Sequence, residues 1–131
     1  MEFINVLVAA AGAWIFGAAW YMLLSKPWIE ASGIECDEHG RPVGGADPTP
    51  FILSAIAMVI VAGMMRHMFA LSGIDTVGKG IVAGLGVGLF FITPWMMINY
   101  AYAGRPYRLT LIDGGYSVFG CMIIGAILTL F

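Results

Sequence analysis

Residues 77–103 read VGKGIVAGLGVGLFFITPWMMINYAYA, an apolar run whose only charged side chain is Lys79, near its start. A helix of this length extends about 40 Å, whereas the hydrocarbon core of a bilayer is about 30 Å thick. Three further apolar runs occur, so the sequence predicts an all-α fold, an integral membrane four-helix bundle forming a single transmembrane domain over residues 1–131. The predicted helices cover residues 3–24, 50–71, 77–103 and 110–131, and a polar loop covers residues 25–49. The start of this loop, Pro27 to Ser32, is compatible with a short interfacial helix. Thr49 is expected to cap the second long helix, with Pro50 at its first position, and Pro94 is expected to kink the third.

The composition of the whole chain agrees with this fold. Of the 131 residues, 60% are hydrophobic and 11% are charged, whereas an ordinary soluble domain is about one quarter charged. Six basic and eight acidic side chains are too few to cover the surface of a small soluble domain. We therefore expect the lipid bilayer as the main partner and no nucleic acid partner, because nucleic-acid-binding domains carry a basic surface.

The aromatic and basic residues at the helix ends predict how the chain sits in a membrane. Aromatic rings and basic side chains are enriched at the membrane–water boundary, and we interpret these residues as interface anchors: Trp20, Tyr21, Lys26, Trp28 and Arg66. Basic residues are more numerous at the end that holds the long loop (Lys26, Arg41, Arg105 and Arg108) than at the other end (Arg66 and Lys79). The positive-inside rule then predicts a multi-pass protein of the cell (inner) membrane, with the long loop in the cytoplasm and both termini outside.

Two stripes of small residues predict close helix packing. Helices in a membrane associate where glycine and alanine let their backbones approach, and a spacing of about four residues places such residues on one face. The third helix carries Gly80, Gly84 and Gly88, and the first carries Ala9, Ala13 and Gly17. These faces are expected either to meet inside one chain or to build a homo-oligomer.

Asp113 is the most prominent ionisable residue within a predicted helix. A charged group at membrane depth is costly and therefore needs a partner, and Arg105 and Arg108 precede it closely in the sequence. One interpretation is a salt bridge that clamps the loop, with Asp113 near the positive end of the helix dipole. The other is a shallow pocket for an anion or a lipid headgroup. Its candidate residues are Asp113, Arg105, Arg108, Asn99, Tyr100 and Tyr116.

Two smaller polar clusters favour structural roles. Cys36 and His39 lie in an acidic loop without a second pair of ligands, so we predict no metal site there. Arg66 and His67 interrupt the second apolar run, and the pair is either an interface anchor or a proton or substrate relay. The sequence contains no P-loop, nucleophile elbow or zinc-protease motif, so we expect no catalytic residues, no cofactor and no enzymatic activity.

Several short motifs together resemble an uncharacterised bacterial membrane family, domain of unknown function 1761. The motifs are Gly17-Ala18-Ala19-Trp20-Tyr21, Lys26-Pro27-Trp28, Asn99-Tyr100, Gly104-Arg105-Pro106 and Leu111-Ile112-Asp113-Gly114-Gly115-Tyr116. This chain departs from the family pattern in its long acidic first loop and in the Gly114-Gly115 pair. The resemblance implies a four-helix integral membrane protein without an established activity. It also implies that seven of these residues share one membrane boundary: Trp20, Tyr21, Lys26, Trp28, Asn99, Arg105 and Asp113.

Two functional hypotheses follow from the sequence. The first is a non-catalytic module that acts through helix–helix assembly, as a homo-oligomer or as a subunit of a larger membrane complex. The second is a small oligomeric transporter or a lipid- or anion-binding protein that uses the cluster around Asp113 and Arg105, with Pro94 as a hinge.

Overall fold

The structure is a computed structural model that describes residues 2–43 and 47–131. Within these ranges the chain is helical, and four helices are long and apolar enough to cross a membrane. The helices are α1 (Glu2–Leu23), α2 (Ser25–Ser32), α3 (Thr49–Ser72), α4 (Val77–Tyr102) and α5 (Tyr107–Leu130). The all-α, four-span fold predicted from the sequence is therefore confirmed, and the span limits differ from the predicted ones by at most three residues.

Helix α5 lies at the centre of the bundle and contacts each of the other helices. Helix α1 runs antiparallel to α5, because Asn5 Nδ2 donates to the Phe131 carbonyl oxygen at 2.9 Å while Trp20 Nε1 donates to the Ile112 carbonyl oxygen at 2.9 Å. Helix α3 packs mainly on α1, and Trp14 Nε1 of α1 donates to Ser54 Oγ of α3 at 2.9 Å. The ends of α1 and α5 near the termini therefore share one face of the bundle.

The glycines of α4 are the closest helix contacts in the described part of the chain. A Cβ built at Gly80, Gly84 or Gly88 would collide with the α5 backbone at Gly125, Cys121 or Ser117 respectively. The small residues of α1 are also enclosed by the same chain: Ala9 and Ala13 are fully buried, and a Cβ at Gly17 would lie 2.7 Å from the Tyr116 ring. Both stripes therefore serve packing within one chain, and the α4 stripe faces α5 rather than α1.

Helix α4 changes its hydrogen-bond register before Pro94. Residues Val87–Ile92 form a π-helical segment, and both the backbone N–H and the hydroxyl of Thr93 donate to the Gly88 carbonyl oxygen, the hydroxyl at 2.7 Å. Pro94 has no N–H to donate, and a wider turn next to a serine or threonine hydroxyl is one way in which membrane helices accommodate that loss. The predicted disturbance at Pro94 thus takes the form of a π-helical segment.

Two predicted helix starts and the limits of the polar loop need correction. The prediction that Thr49 caps α3 is wrong, because Thr49 is the first helical residue and its N–H donates to Asp47 Oδ1 at 3.0 Å. That hydrogen bond lowers the pKa of the Asp47 carboxyl below its usual 3.8. Helix α5 begins at Tyr107 rather than at residue 110, after the extended Pro106. The segment predicted as a polar loop, residues 25–49, contains the helix α2, which begins two residues before the short interfacial helix considered for Pro27 to Ser32 and ends at the same residue.

Candidate ligand-binding site

Asp113 lies where α1, α4 and α5 meet, and two tyrosine hydroxyls bind its carboxylate. Tyr21 Oη of α1 donates to Oδ1 at 2.5 Å, and Tyr100 Oη of α4 donates to Oδ2. Because α5 begins at Tyr107, Asp113 lies about 9 Å along the helix rather than in its first turn. The expected stabilisation by the helix dipole is therefore wrong, since that effect falls off within the first turn.

The two arginines predicted to pair with Asp113 lie elsewhere. Arg105 Nη1 donates to the carbonyl oxygen of Ser32, the last residue of α2. A cation at the C-terminus of a helix is favourable because the unpaired carbonyl groups there carry partial negative charge. Arg108 is exposed in the first turn of α5. No ion pair joins either arginine to Asp113 within the described residues, so the predicted salt bridge is wrong, although Arg105 does link this loop to α2.

A cavity of about 710 Å³ opens beside Asp113 at the end of the bundle that holds the long loop. Its polar lining consists of Tyr21, Ser25, Tyr100, Asp113, Tyr116 and Ser117. Its apolar lining consists of Trp28, Ile29, Pro42, Pro50, Phe51 and Met96. Pockets of this size, with apolar walls and a few convergent polar groups, are typical of small-molecule sites in proteins.

The aromatic lining residues support one another. The Tyr21 ring meets the Trp28 ring edge-on with centroids 6.2 Å apart, and it meets the Tyr116 ring edge-on at 5.4 Å. Such edge-to-face pairs fix ring orientation and add about 0.5–1.5 kcal/mol to the effect of burial alone. The break at Leu24 separates α1 from α2, and Trp28 of α2 lines the cavity together with Tyr21 of α1.

A smaller cavity of about 160 Å³ adjoins the first and extends deeper into the bundle. Tyr116 and Ser117 line both cavities, and the inner end is closed by side chains such as Cys121 and Ile124 of α5. Its remaining walls are formed by Met58 and Val61 of α3, Ile92 of the π-helical segment and Gly120 of α5. The two cavities together provide a group of polar side chains around Asp113 and apolar walls that continue inward beyond Ser117.

The structure brings together three of the six predicted ligand-binding residues, Asp113, Tyr100 and Tyr116. Asn99 is exposed and lines a separate apolar depression with Trp95, and both arginines lie outside the cavity lining. Sequence reasoning assigned Tyr21 and Trp28 only to the membrane boundary, although both line the cavity. The one sequence signal that linked Tyr21 and Trp28 to Asp113 is that all three lie in the motifs that resemble the family. Lys26 is exposed on α2.

The other polar clusters lie away from this cavity. Arg66 lines a cavity of about 380 Å³ near the opposite end of the bundle, together with His67, Phe3 and Val6. In the long loop, Cys36 is exposed and unpaired. Within residues 2–43 and 47–131, no group of three histidine, cysteine or carboxylate residues is placed to bind a metal ion.

Comparison with known proteins identifies the family. No curated protein and no solved structure shows a significant match to the chain. A family model described as "Protein of unknown function (DUF1761)" matches residues 4–129, which is almost the entire sequence. This agrees with the resemblance in the motifs around Trp20, Asn99 and Asp113. The chain therefore belongs to the DUF1761 family, whose function is not established.

Proposed function

We propose that this protein is a non-catalytic, membrane-embedded binding protein whose site is the cavity around Asp113. The observation that carries the proposal is a half-buried carboxylate within a predicted membrane span, bound by Tyr21 and Tyr100, in the wall of a cavity of about 710 Å³. An ionisable residue at membrane depth is costly and usually marks a functional position. The adjoining apolar cavity supports an amphiphilic ligand, with a polar group near Asp113 and an apolar part beyond Ser117.

Assembly with a second copy or with another membrane protein is a separate proposal with a different support. The glycine and alanine stripes pack within the chain and therefore no longer support it. The remaining support is the outer face of α4, where Phe90, Phe91 and Trp95 are about 70% exposed. Such a face suits lipid equally well, so the cavity is the stronger basis for a function.

Native mass spectrometry after purification in a mild detergent tests the binding proposal. We expect the wild-type chain to retain an additional mass, and Ser117→Phe to lose it because the new ring fills the junction of the two cavities. The matched control is Ala126→Phe, which fills an apolar cavity of about 340 Å³ lined by Phe16 and Ile81, away from Asp113. The same spectra report whether the chain is a monomer or an oligomer.

The comparison of the wild type with Ser117→Phe also defines the result that would contradict the proposal. If the wild type and Ser117→Phe carried the same additional mass, that molecule would bind elsewhere and the proposal would fail. Met96→Trp provides a second obstructing variant from α4 in case Ser117→Phe does not fold. Each variant is first checked for a cooperative thermal transition.

A further inference from the structure

The charge in the lining of the cavity is negative. Among the described residues that line the two adjoining cavities, Asp113 is the only acidic one, and none is a lysine, arginine or histidine. The charge of Arg105 acts on the Tyr100 hydroxyl, but its guanidinium donates to the Ser32 carbonyl oxygen. Arg105 is exposed, so water and salt screen its effect on the cavity interior. The cavity is therefore suited to positive rather than negative charge.

The hydrogen bonds at Asp113 leave room for a cation. A carboxylate offers about four lone-pair positions, and the hydroxyls of Tyr21 and Tyr100 use one on each oxygen. Both donors favour the negative charge, and they hold the carboxylate plane between α1 and α4. An ammonium group at the cavity wall can then approach either oxygen without displacing a tyrosine.

The aromatic lining adds a second feature that favours a cation. The Tyr21 ring meets the Trp28 and Tyr116 rings edge-to-face, and Phe51 of α3 also lines the cavity. The face of an aromatic ring attracts a cation, most strongly for tryptophan, and groups of aromatic rings recognise quaternary ammonium ligands. The same lining offers an anion no basic side chain.

The inner cavity indicates the polarity and the length of the rest of the ligand. It extends from Tyr116 and Ser117 to Cys121 and Ile124 and has almost entirely apolar walls. The distance along α5 from Asp113 to Cys121 is about 12 Å, as eight residues rise by 1.5 Å each. A short alkyl chain attached to a group at Asp113 fits this space.

We propose that the ligand is an amphiphilic organic cation, an amine or quaternary ammonium compound that carries an apolar chain. This inference rests on the proposed function, since it names the class of molecule that the same cavity takes. The ammonium group binds between Asp113 and the Trp28 and Tyr21 rings, and the chain enters the inner cavity. The ammonium can belong to a free amphiphile or to the headgroup of an amine lipid.

Three probes with the same alkyl chain and different headgroups test the charge of the ligand. We expect octyltrimethylammonium to raise the melting temperature of the protein in a maltoside detergent, and octanesulfonate and octanol to leave it unchanged. Asp113→Asn should weaken the binding of octyltrimethylammonium by about tenfold or more, which corresponds to about 1.4 kcal/mol. The matched control is Asp75→Asn, the same change at an exposed residue near the opposite boundary.

A second pair of variants leaves the hydrogen bonds of Asp113 intact, in case Asp113→Asn does not fold. Trp28→Leu should weaken octyltrimethylammonium binding several-fold, and Trp28→Phe should restore most of it because an aromatic face is present again. Equal binding by the leucine and phenylalanine variants would overturn the aromatic part of the proposal.

The probes separate failure of this inference from failure of the proposed function. Stabilisation by octanesulfonate alone, or equal stabilisation by all three probes, would overturn the cation class while leaving a binding cavity in place. No effect of any probe, together with no retained mass in the native spectra, would overturn both proposals. Nanodiscs with and without phosphatidylethanolamine distinguish the two sources: a retained phosphatidylethanolamine that Asp113→Asn loses identifies a lipid headgroup, and octyltrimethylammonium binding without it identifies a free amphiphile.

Discussion

The Asp113 carboxylate depends on two hydroxyl groups from other helices. Tyr21→Phe removes the donor to Oδ1 and leaves that half-buried oxygen without its protein hydrogen bond. A hydrogen bond to a charged group contributes about 1.5–3 kcal/mol, so we expect Tyr21→Phe to lower the free energy of unfolding by about that amount. Denaturant unfolding in mixed micelles measures the loss. Tyr102→Phe is the control, since Tyr102 is 91% exposed, and equal stabilities for the two variants would contradict the role of Tyr21.

Sequence reasoning located Asp113 but misassigned its partners. The expectation of a partner was sound, because it rests on the cost of burying charge alone. Arg105 and Arg108 were the natural choices because they are near in sequence, whereas Tyr21 is 92 positions away. The packing of α1 against α5 creates that contact, and a single sequence contains no direct record of it. The same limit explains why the pocket predicted at Asp113 included the two arginines and lacked Tyr21 and Trp28.

Two glycines of α4, Gly84 and Gly86, lie two residues apart, but only Gly84 faces the α5 backbone. A Cβ at Gly84 would collide with the backbone of Cys121, which cannot move aside as a side chain can, whereas a Cβ at Gly86 would meet nothing within 4 Å. Overpacking costs about 1–3 kcal/mol, while alanine is favoured over glycine in a helix by up to about 1 kcal/mol. Gly84→Ala should therefore lower the melting temperature and Gly86→Ala should maintain or raise it. A loss of stability in both variants would indicate that flexibility of α4, rather than close packing, requires these glycines.

Hydropathy predicted the four spans well because each must cross the bilayer with apolar side chains. Hydropathy is less informative about which helices pair, since lipid tails are as apolar as leucine and give little preference for one neighbour. The glycine spacing in α4 therefore indicated a packing face without naming α5 as its partner. The start of α5 was also missed, because Tyr107 and Arg108 are exposed and their polarity suggested a loop.

At the scale of the whole molecule, the long loop and the link between α4 and α5 lie at the same end of the bundle, because Arg105 of that link contacts Ser32 at the end of α2. This end carries most of the basic residues, so we expect it to face the cytoplasm. The chain provides its own probe: Cys36 is an exposed thiol in the long loop, while Cys121 is buried and only 4% exposed. In a bacterial host, a membrane-impermeant maleimide should label the wild type only after the cells are permeabilised.

A thiol moved to the opposite boundary provides a second labelling test, for which the opposite result is expected. In the double variant Cys36→Ser, Ser72→Cys, the reactive thiol moves to the exposed end of α3, at the opposite boundary. That variant should be labelled in intact cells, and Cys36→Ser alone should show no labelling in either condition because Cys121 is enclosed in the core. Labelling of wild-type Cys36 in intact cells would indicate the opposite orientation, with the long loop outside the cell. The mouth of the Asp113 cavity would then face outward, and its cationic ligand would arrive from outside the cell rather than from the cytoplasm.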